Sequence, residues 1–142
     1  MSRTVIRTMA ALHMWLYRVS GGKIGGGLRG APVLLLTVTG RKSGKRRTTP
    51  LLYGLAGDAL VLIASVGGAP KNPAWYVNLH GQSADAEVQV RDGHVRVRAR
   101  DAEGEERERL WAQMVGLYPA YADYQQKTTR RIPVVVLEPV EP

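Results

Sequence analysis

Residues 85–100 read DAEVQVRDGHVRVRAR, two alternating runs around one turn dipeptide. Asp92-Gly93 is a type I′ signal, because both central residues of that turn need positive φ and these residues accept it most readily. Centring the turn there pairs Arg91 with His94, Val90 with Val95, Val88 with Val97, Glu87 with Arg98 and Asp85 with Arg100. The valines then share one face, and opposite charges meet across the strands on the other. Period-two burial and a tight turn together predict an antiparallel hairpin. The row Arg96, Arg98 and Arg100 is accordingly read as a solvated, partly neutralised sheet face, not a nucleic-acid ladder.

Working outward, Val33 to Thr39 is an apolar, β-branched run that predicts a central strand. Gly40 to Lys45 is a turn, Arg46 to Leu55 a second strand, and Leu60 to Ser65 a third, joined through Ala56-Gly57-Asp58. Residues 66–73 form a Gly/Pro loop. Asn72 is placed to cap a short helix that has Pro73 at its first position and holds Trp75, Tyr76 and Leu79. Beyond the hairpin, residues 103–117 predict a helix with an apolar stripe of Leu110, Trp111, Met114 and Val115. Glu103–Arg107 and Glu105–Arg109 are favourable i,i+4 pairs on it. Pro119 breaks that helix, Ala120 to Lys127 resume it briefly, and Ile132 to Leu137 close the sheet.

Upstream, Val5, Met9, Leu12 and Leu16 recur at helical spacing, so residues 4–18 read as an amphipathic helix. It either packs on its own barrel or lies on an anionic membrane surface. Residues 21–30 hold six glycines and read as a flexible linker in which helix or strand is disfavoured. The chain divides into residues 1–30, helix and linker, and residues 31–142, the folded domain. The fold class is α+β: about six mostly antiparallel strands in a small closed or split barrel, with helices packed outside.

At 142 residues the chain fits one domain and buries roughly two-thirds of its unfolded surface. It has no cysteine, which removes disulfides, thiolate metal sites and cysteine nucleophiles and suits a cytoplasmic location. No apolar run approaches the roughly 20 residues of a membrane-spanning helix. His13, His80 and His94 lack metal-ligand spacing, no GxSxG elbow is present, and the acids cluster on the predicted surface. No metal site and no residue-based nucleophile is expected, so a cofactor carries the hard chemistry. The net charge of +8 is uneven: residues 1–57 contain ten Lys/Arg and no acid before Asp58. Such a block attracts anions.

Two stretches are rich in what an anionic cofactor needs. Thr39 to Pro50, TGRKSGKRRTTP, combines cations, hydroxyls and glycine-exposed amides, the groups that bind phosphate and carboxylate. Ala64 to Asn78, ASVGGAPKNPAWYVN, joins a strand end to a helix. Its glycines let a flat ring approach the backbone, and the helix start offers amide donors. Tyr118, Tyr121 and Tyr124 follow at i, i+3 and i+6, on one side of a helix, as a pocket wall or as plain packing.

These three ordered patterns, LTxTGRKSGxxRxTPL, ASxGGxPKNPxWYxN and YPxYxxYQ…RxIPVVVLEP, resemble the deazaflavin-dependent nitroreductase family over about residues 25–140. The resemblance implies a split β-barrel and dependence on the deazaflavin coenzyme F420. It implies that Arg41, Lys42 and Ser43 hold the coenzyme's phosphate and acidic tail. Arg47, Thr48, Thr49, Pro50, Leu51 and Leu52 match the strand lining the coenzyme. Ile63, Ala64, Ser65 and Val66 match the strand end against the ring. Lys71 belongs to the same motif, and Ala74, Trp75, Tyr76, Val77 and Asn78 match the helix start closing over the ring. Tyr121 matches a tyrosine near coenzyme and substrate, a candidate catalytic proton donor, with Tyr118 and Tyr124 as pocket-wall residues. Leu52 stands where some members carry tyrosine and Val66 where some carry lysine, which weighs against nitro-prodrug activation more than against coenzyme binding.

The reaction implied is hydride transfer from reduced F420 to an electron-poor acceptor: a quinone, an enone or a nitroaromatic. Three other readings remain open from the sequence. They are an FMN-binding reductase on the same barrel, a non-catalytic F420 carrier, and a basic nucleic-acid module. A small-molecule acceptor, no nucleic acid, membrane contact through residues 4–18 and a homodimer are the partner expectations.

Overall fold

The structure, a computed structural model, describes residues 27–28, 31–65, 69, 71–80 and 86–140. The expected helix over 4–18, most of the 21–30 linker, Val66 and Asp85 lie outside the described residues. In chain order the elements are β1 (Gly27–Leu28), β2 (Ala31–Thr39), β3 (Arg46–Leu52), β4 (Gly54–Ala56), β5 (Ala59–Ile63), α1 (Ala74–His80), β6 (Ala86–Val90), β7 (Gly93–Asp101), α2 (Gly104–Leu117), α3 (Ala120–Gln126) and β8 (Val134–Pro139). All strand pairings are antiparallel. The sheet runs β1-β2-β6-β7-β8-β5-β4, with β3 paired to β2 off that path.

Among the described residues eight strands stand where about six were expected. The run from Arg46 to Leu55 is cut at Tyr53, whose N–H donates to Pro32 O at 3.1 Å. Beyond that point β4 turns away to pair with β5. Gly27–Leu28 also forms a short strand on Ala31–Pro32 inside the expected linker. Pro50 lies on β3, which pairs only with β2, so its missing N–H breaks no second ladder.

The hairpin forms, but two residues out of the expected register. Val90 pairs with Gly93, Gln89 with His94, Val88 with Val95, Glu87 with Arg96 and Ala86 with Val97. The loop is therefore Arg91-Asp92, and Arg91 takes the positive φ of 54°. A slip of two preserves facing, so Val88 and Val97 stay inward, while Val95 near the turn is exposed. The two strands are also held from outside: Leu35–Thr37 of β2 pair with β6, and Val97 to Asp101 pair with β8. That ladder, not the local dipeptide, sets the register. The expected charge partners change accordingly. Glu87 lies 3.2 Å from His94 Nδ1, while Arg100 donates to Glu106 Oε2 and Glu138 Oε1, both at 2.9 Å. We expect Gly93→Ala to be tolerated, because Gly93 has no positive φ and an added Cβ would meet only Val90 O at 3.5 Å. Arg91→Gly should stabilise by about 0.5–1 kcal/mol by relieving the left-handed residue. Urea unfolding midpoints check both, and a large loss in Gly93→Ala would restore the Asp92-Gly93 turn.

Apolar residues of β5 and β8 alternate between two cores. Leu62, Ala64, Val135 and Leu137 join Leu34, Leu36, Val38, Val88, Val97 and Trp75 inside the curl. Val61, Ile63, Val134 and Val136 join Leu110, Met114, Tyr121 and Ile132 beneath α2 and α3. Both faces of these strands are covered, which explains their unbroken apolar runs. On α2, Arg107 does not spend its charge on Glu103. Its guanidinium is buried, donates to Ile132 O at 2.7 Å and lies 5.4 Å from the Trp111 ring centre.

Candidate functional site

The β2–β3 turn is closed by two backbone bonds, Gly40 N–H to Lys45 O and Gly44 N–H to Gly40 O, both 2.8 Å. Gly44 supplies the left-handed residue at φ 70°. Gly40 lies close to Ser43: a Cβ there would sit 2.6 Å from Ser43 Oγ and make that hydroxyl rotate. Arg41 N–H donates to Asn78 Oδ1 at 3.2 Å and ties the turn to α1. Between the two lies a cleft of about 460 Å³ lined by Gly40, Arg41, Lys42, Ser43, Arg47, Ala74, Val77 and Asn78. It presents three cations, a hydroxyl and an amide, with no carboxylate among its lining residues.

Strand parity sorts the remaining candidates. Arg47 pairs with Val38, Thr49 with Leu36 and Leu51 with Leu34, so these three share the face of the inner core. Thr48, Pro50 and Leu52 face the other way. The Thr48 hydroxyl bonds the Thr37 hydroxyl at 2.8 Å, and Leu52 packs on the outer core. Arg46 is likewise turned from the cleft, donating to Thr39 Oγ1 at 3.0 Å and lying 4.0 Å from Glu87. At the end of β5, Ile63 faces the outer core and Ala64 the inner one, while Ser65 is buried. Lys71 is exposed.

One expectation about α1 is corrected. Asn72 is not seen capping it, because its Oδ1 accepts from Arg130 Nη1 at 2.8 Å. Further along α1, Tyr76 N–H and Val77 N–H both donate to Pro73 O as its first turn closes. Trp75 is buried. The Tyr76 hydroxyl donates to Asp101 Oδ2 at 2.6 Å, and burial followed by this carboxylate pushes its pKa up. Asp101 Oδ1 lies 3.2 Å from His80 Nε2.

The three tyrosines do cluster. Tyr118 and Tyr121 ring centres are 5.1 Å apart, Tyr121 and Tyr124 6.2 Å, and the Tyr118 and Tyr124 hydroxyls 3.4 Å. Tyr118 precedes α3, so the cluster is built by a helix–helix corner and not by one helix face. Burial, reinforced by Tyr118 and Tyr124, pushes the Tyr121 pKa up, which keeps its phenol protonated. None of the three lines the 460 Å³ cleft. They sit with Ile63 and Leu52 on the outer core, across the end of β5 from Trp75. Asp101 and Arg130 carried no role in the sequence reading. Arg130 stood in the third motif, but nothing local showed what it would touch. Among the described residues no group of three or more His, Asp or Glu could hold a metal ion.

A curled antiparallel half-barrel with a cationic corner against a short helix belongs to the split-barrel class. The solved structure of an F420-H2 dependent reductase (FDR-A) has this fold, with a TM-score of 0.69 and 44% identity over 75% of this chain and 94% of that one. The chain belongs to the F420H(2)-dependent quinone reductase family, whose model matches residues 9–139. The F420H(2)-dependent quinone reductase Rv1261c of Mycobacterium tuberculosis is 43% identical over 89% of this chain and 87% of its own. A solved domain-swapped dimer is 38% identical, with a TM-score of 0.70 over 90% of this chain and 97% of that one. The family is thus named for quinones and not for the nitro compounds of the sequence resemblance.

Proposed function

We propose that this chain reduces a quinone with hydride from reduced coenzyme F420, gripping the coenzyme's phosphate and acidic tail at the Arg41–Arg47 turn. One observation carries the reading: the cationic turn and the start of α1 share a single cleft free of lining carboxylates. Its donors fit the tail's chemistry. Arg41, Lys42 and Arg47 offer charge-assisted bonds to phosphate and carboxylate oxygens. Ser43 Oγ accepts from Lys45 N–H at 3.2 Å and keeps its own proton to donate. Reduced F420 supplies the hydride from its central-ring carbon.

The protein orients, excludes water and supplies a proton. Thr49 and Leu51 on the cleft-side face of β3, with Ala64 and Trp75, wall the coenzyme side. Ile63 and the tyrosine cluster wall the acceptor side. Holding the two planar systems face to face makes the transfer effectively unimolecular. Hydride delivered to one quinone oxygen leaves the other as an oxyanion, and the protonated Tyr121 phenol donates to it, giving the quinol; solvent then reprotonates Tyr121. Tyr121→Phe should lower kcat roughly 100-fold, the range of a lost general acid, with coenzyme affinity unchanged. Stopped-flow reduction of menadione reads this, and an unaltered rate would remove Tyr121 from the proton path.

Fluorescence titration with oxidised and reduced F420, followed by a panel of quinones, tests the whole reading. Absence of binding to both forms at micromolar coenzyme overturns it. Residues 31–142 form the coenzyme-binding unit and residues 1–30 an appendage to it. The likeness to a domain-swapped dimer supports a homodimer, which sedimentation at two concentrations tests. Among the described residues no helix is long and apolar enough to cross a membrane. The basic amphipathic pattern of residues 4–18 suits surface contact with anionic lipid, tested by vesicle co-sedimentation with and without that segment.

A further inference from the structure

The structure assigns Arg130 as a positioning residue that locks the strand end beneath the coenzyme ring to the helix carrying Tyr121. The assignment rests on the proposed function, which places the ring at that strand end.

The geometry is unusually complete for one side chain. Arg130 lies between α3 and β8, and its guanidinium reaches 58 to 66 residues back along the chain. Nε donates to Ala69 O at 2.8 Å. Nη1 donates to Ala64 O at 3.1 Å and to Asn72 Oδ1 at 2.8 Å. Nη2 donates to Ser65 O at 2.8 Å. All three nitrogens are engaged, and the four acceptors are neutral. Burial lowers the pKa of this guanidinium, consistent with a cation spent on carbonyls and not on an ion pair. These acceptors bracket the connection from β5 to α1: Ala64 and Ser65 at one end, Ala69 and Asn72 at the other.

On its other side Arg130 is fastened to α3. Gln125 Nε2 donates to Arg130 O at 2.7 Å, and Gln125 Oε1 accepts from Ile132 N–H at 3.0 Å. Gln125 lies one position after Tyr124 and four after Tyr121. A continuous chain of hydrogen bonds therefore runs from the tyrosine helix through Gln125 and Arg130 to the strand end. Only a planar, five-donor fork can serve four acceptors held in this array; a lysine ammonium cannot. The consequence is a set distance between coenzyme ring and acceptor, the quantity to which hydride transfer is most sensitive.

The test compares Arg130→Lys and Arg130→Ala with the wild-type protein, at a temperature where circular dichroism shows each fully folded. With menadione and reduced F420, kcat should fall about 10-fold or more in both variants, since misplacement by an ångström costs up to roughly 100-fold. Menadione KM and the oxidised F420 Kd should stay within about 3-fold, because the tail grip at Arg41–Arg47 is untouched. Methylguanidinium at tens of millimolar should restore part of kcat to Arg130→Ala and leave the wild type unaffected. Should Arg130→Ala not fold, Arg130→Lys decides. Wild-type kcat in Arg130→Lys, or a loss of kcat and coenzyme affinity in equal measure without rescue, overturns the assignment. Failure of the wild-type protein to bind F420 in the same titration is a different failure: it removes the proposed function, and the role of Arg130 with it.

Discussion

Replacing Arg41 and Arg47 together by alanine is expected to weaken F420 binding about 100-fold or more. Hydrogen bonds to charged groups contribute about 1.5–3 kcal/mol each, and 1.4 kcal/mol is tenfold in affinity. Lys42 and Ser43 remain, so binding should be weakened and not abolished. Because the lost groups are cations facing an anionic tail, the salt dependence of binding should flatten in the variant. Arg46→Ala is the internal control. It removes the same charge from the adjacent residue, but Arg46 is bonded to Thr39 and near Glu87 on the opposite face, and affinity should change less than about 3-fold. Isothermal titration at two ionic strengths measures all three. Equal losses in Arg46→Ala and in the double variant would mean that long-range charge, and not a built site, attracts the coenzyme.

Met114→Ala should be the costliest of the simple truncations for stability. Met114 is fully buried on α2, in the core shared with Val61, Leu110, Ile132 and Val136. Loss of its thioether removes about 2–5 kcal/mol, the sum of transfer and cavity terms. The surrounding strands are locked on both sides by ladders, which limits collapse into the space. Urea unfolding should show a lower midpoint at unchanged slope. A midpoint within experimental error of the wild-type value would show that α2 is not packed against β5 and β8 as described.

Much of this architecture could be read directly from the chain. The apolar runs VLIA at 61–64 and VVVL at 134–137 were legible as strands, and the structure adds that their alternate residues enter two separate cores. Turn chemistry was legible where the turn stands alone, as at Gly40–Lys45. It misled where neighbouring ladders compete. The Asp92-Gly93 dipeptide carries the stronger local preference, yet β6 and β7 are each paired on their outer edges, and several ladder bonds outweigh one favourable turn. The same contrast holds at Asn72, an obvious cap in sequence whose amide oxygen is taken by an arginine far along the chain.

The site divides in the same way. Composition marked Thr39 to Pro50 as a cationic turn and spacing grouped Tyr118, Tyr121 and Tyr124 around Pro119, while the family resemblance singled out Arg41, Lys42, Ser43 and Arg47 within the turn. Which of two adjacent arginines faces the cleft depends on strand parity, and parity depends on pairing with β2. The distance between corner, strand end and tyrosines depends on bonds such as Arg41 to Asn78 and Arg130 to Ala64, Ser65, Ala69 and Asn72. Local propensity and hydrophobic period act over a few residues and are written into neighbouring side chains. Contacts between segments 37 to 66 residues apart leave no periodic trace, so only the folded chain decided them.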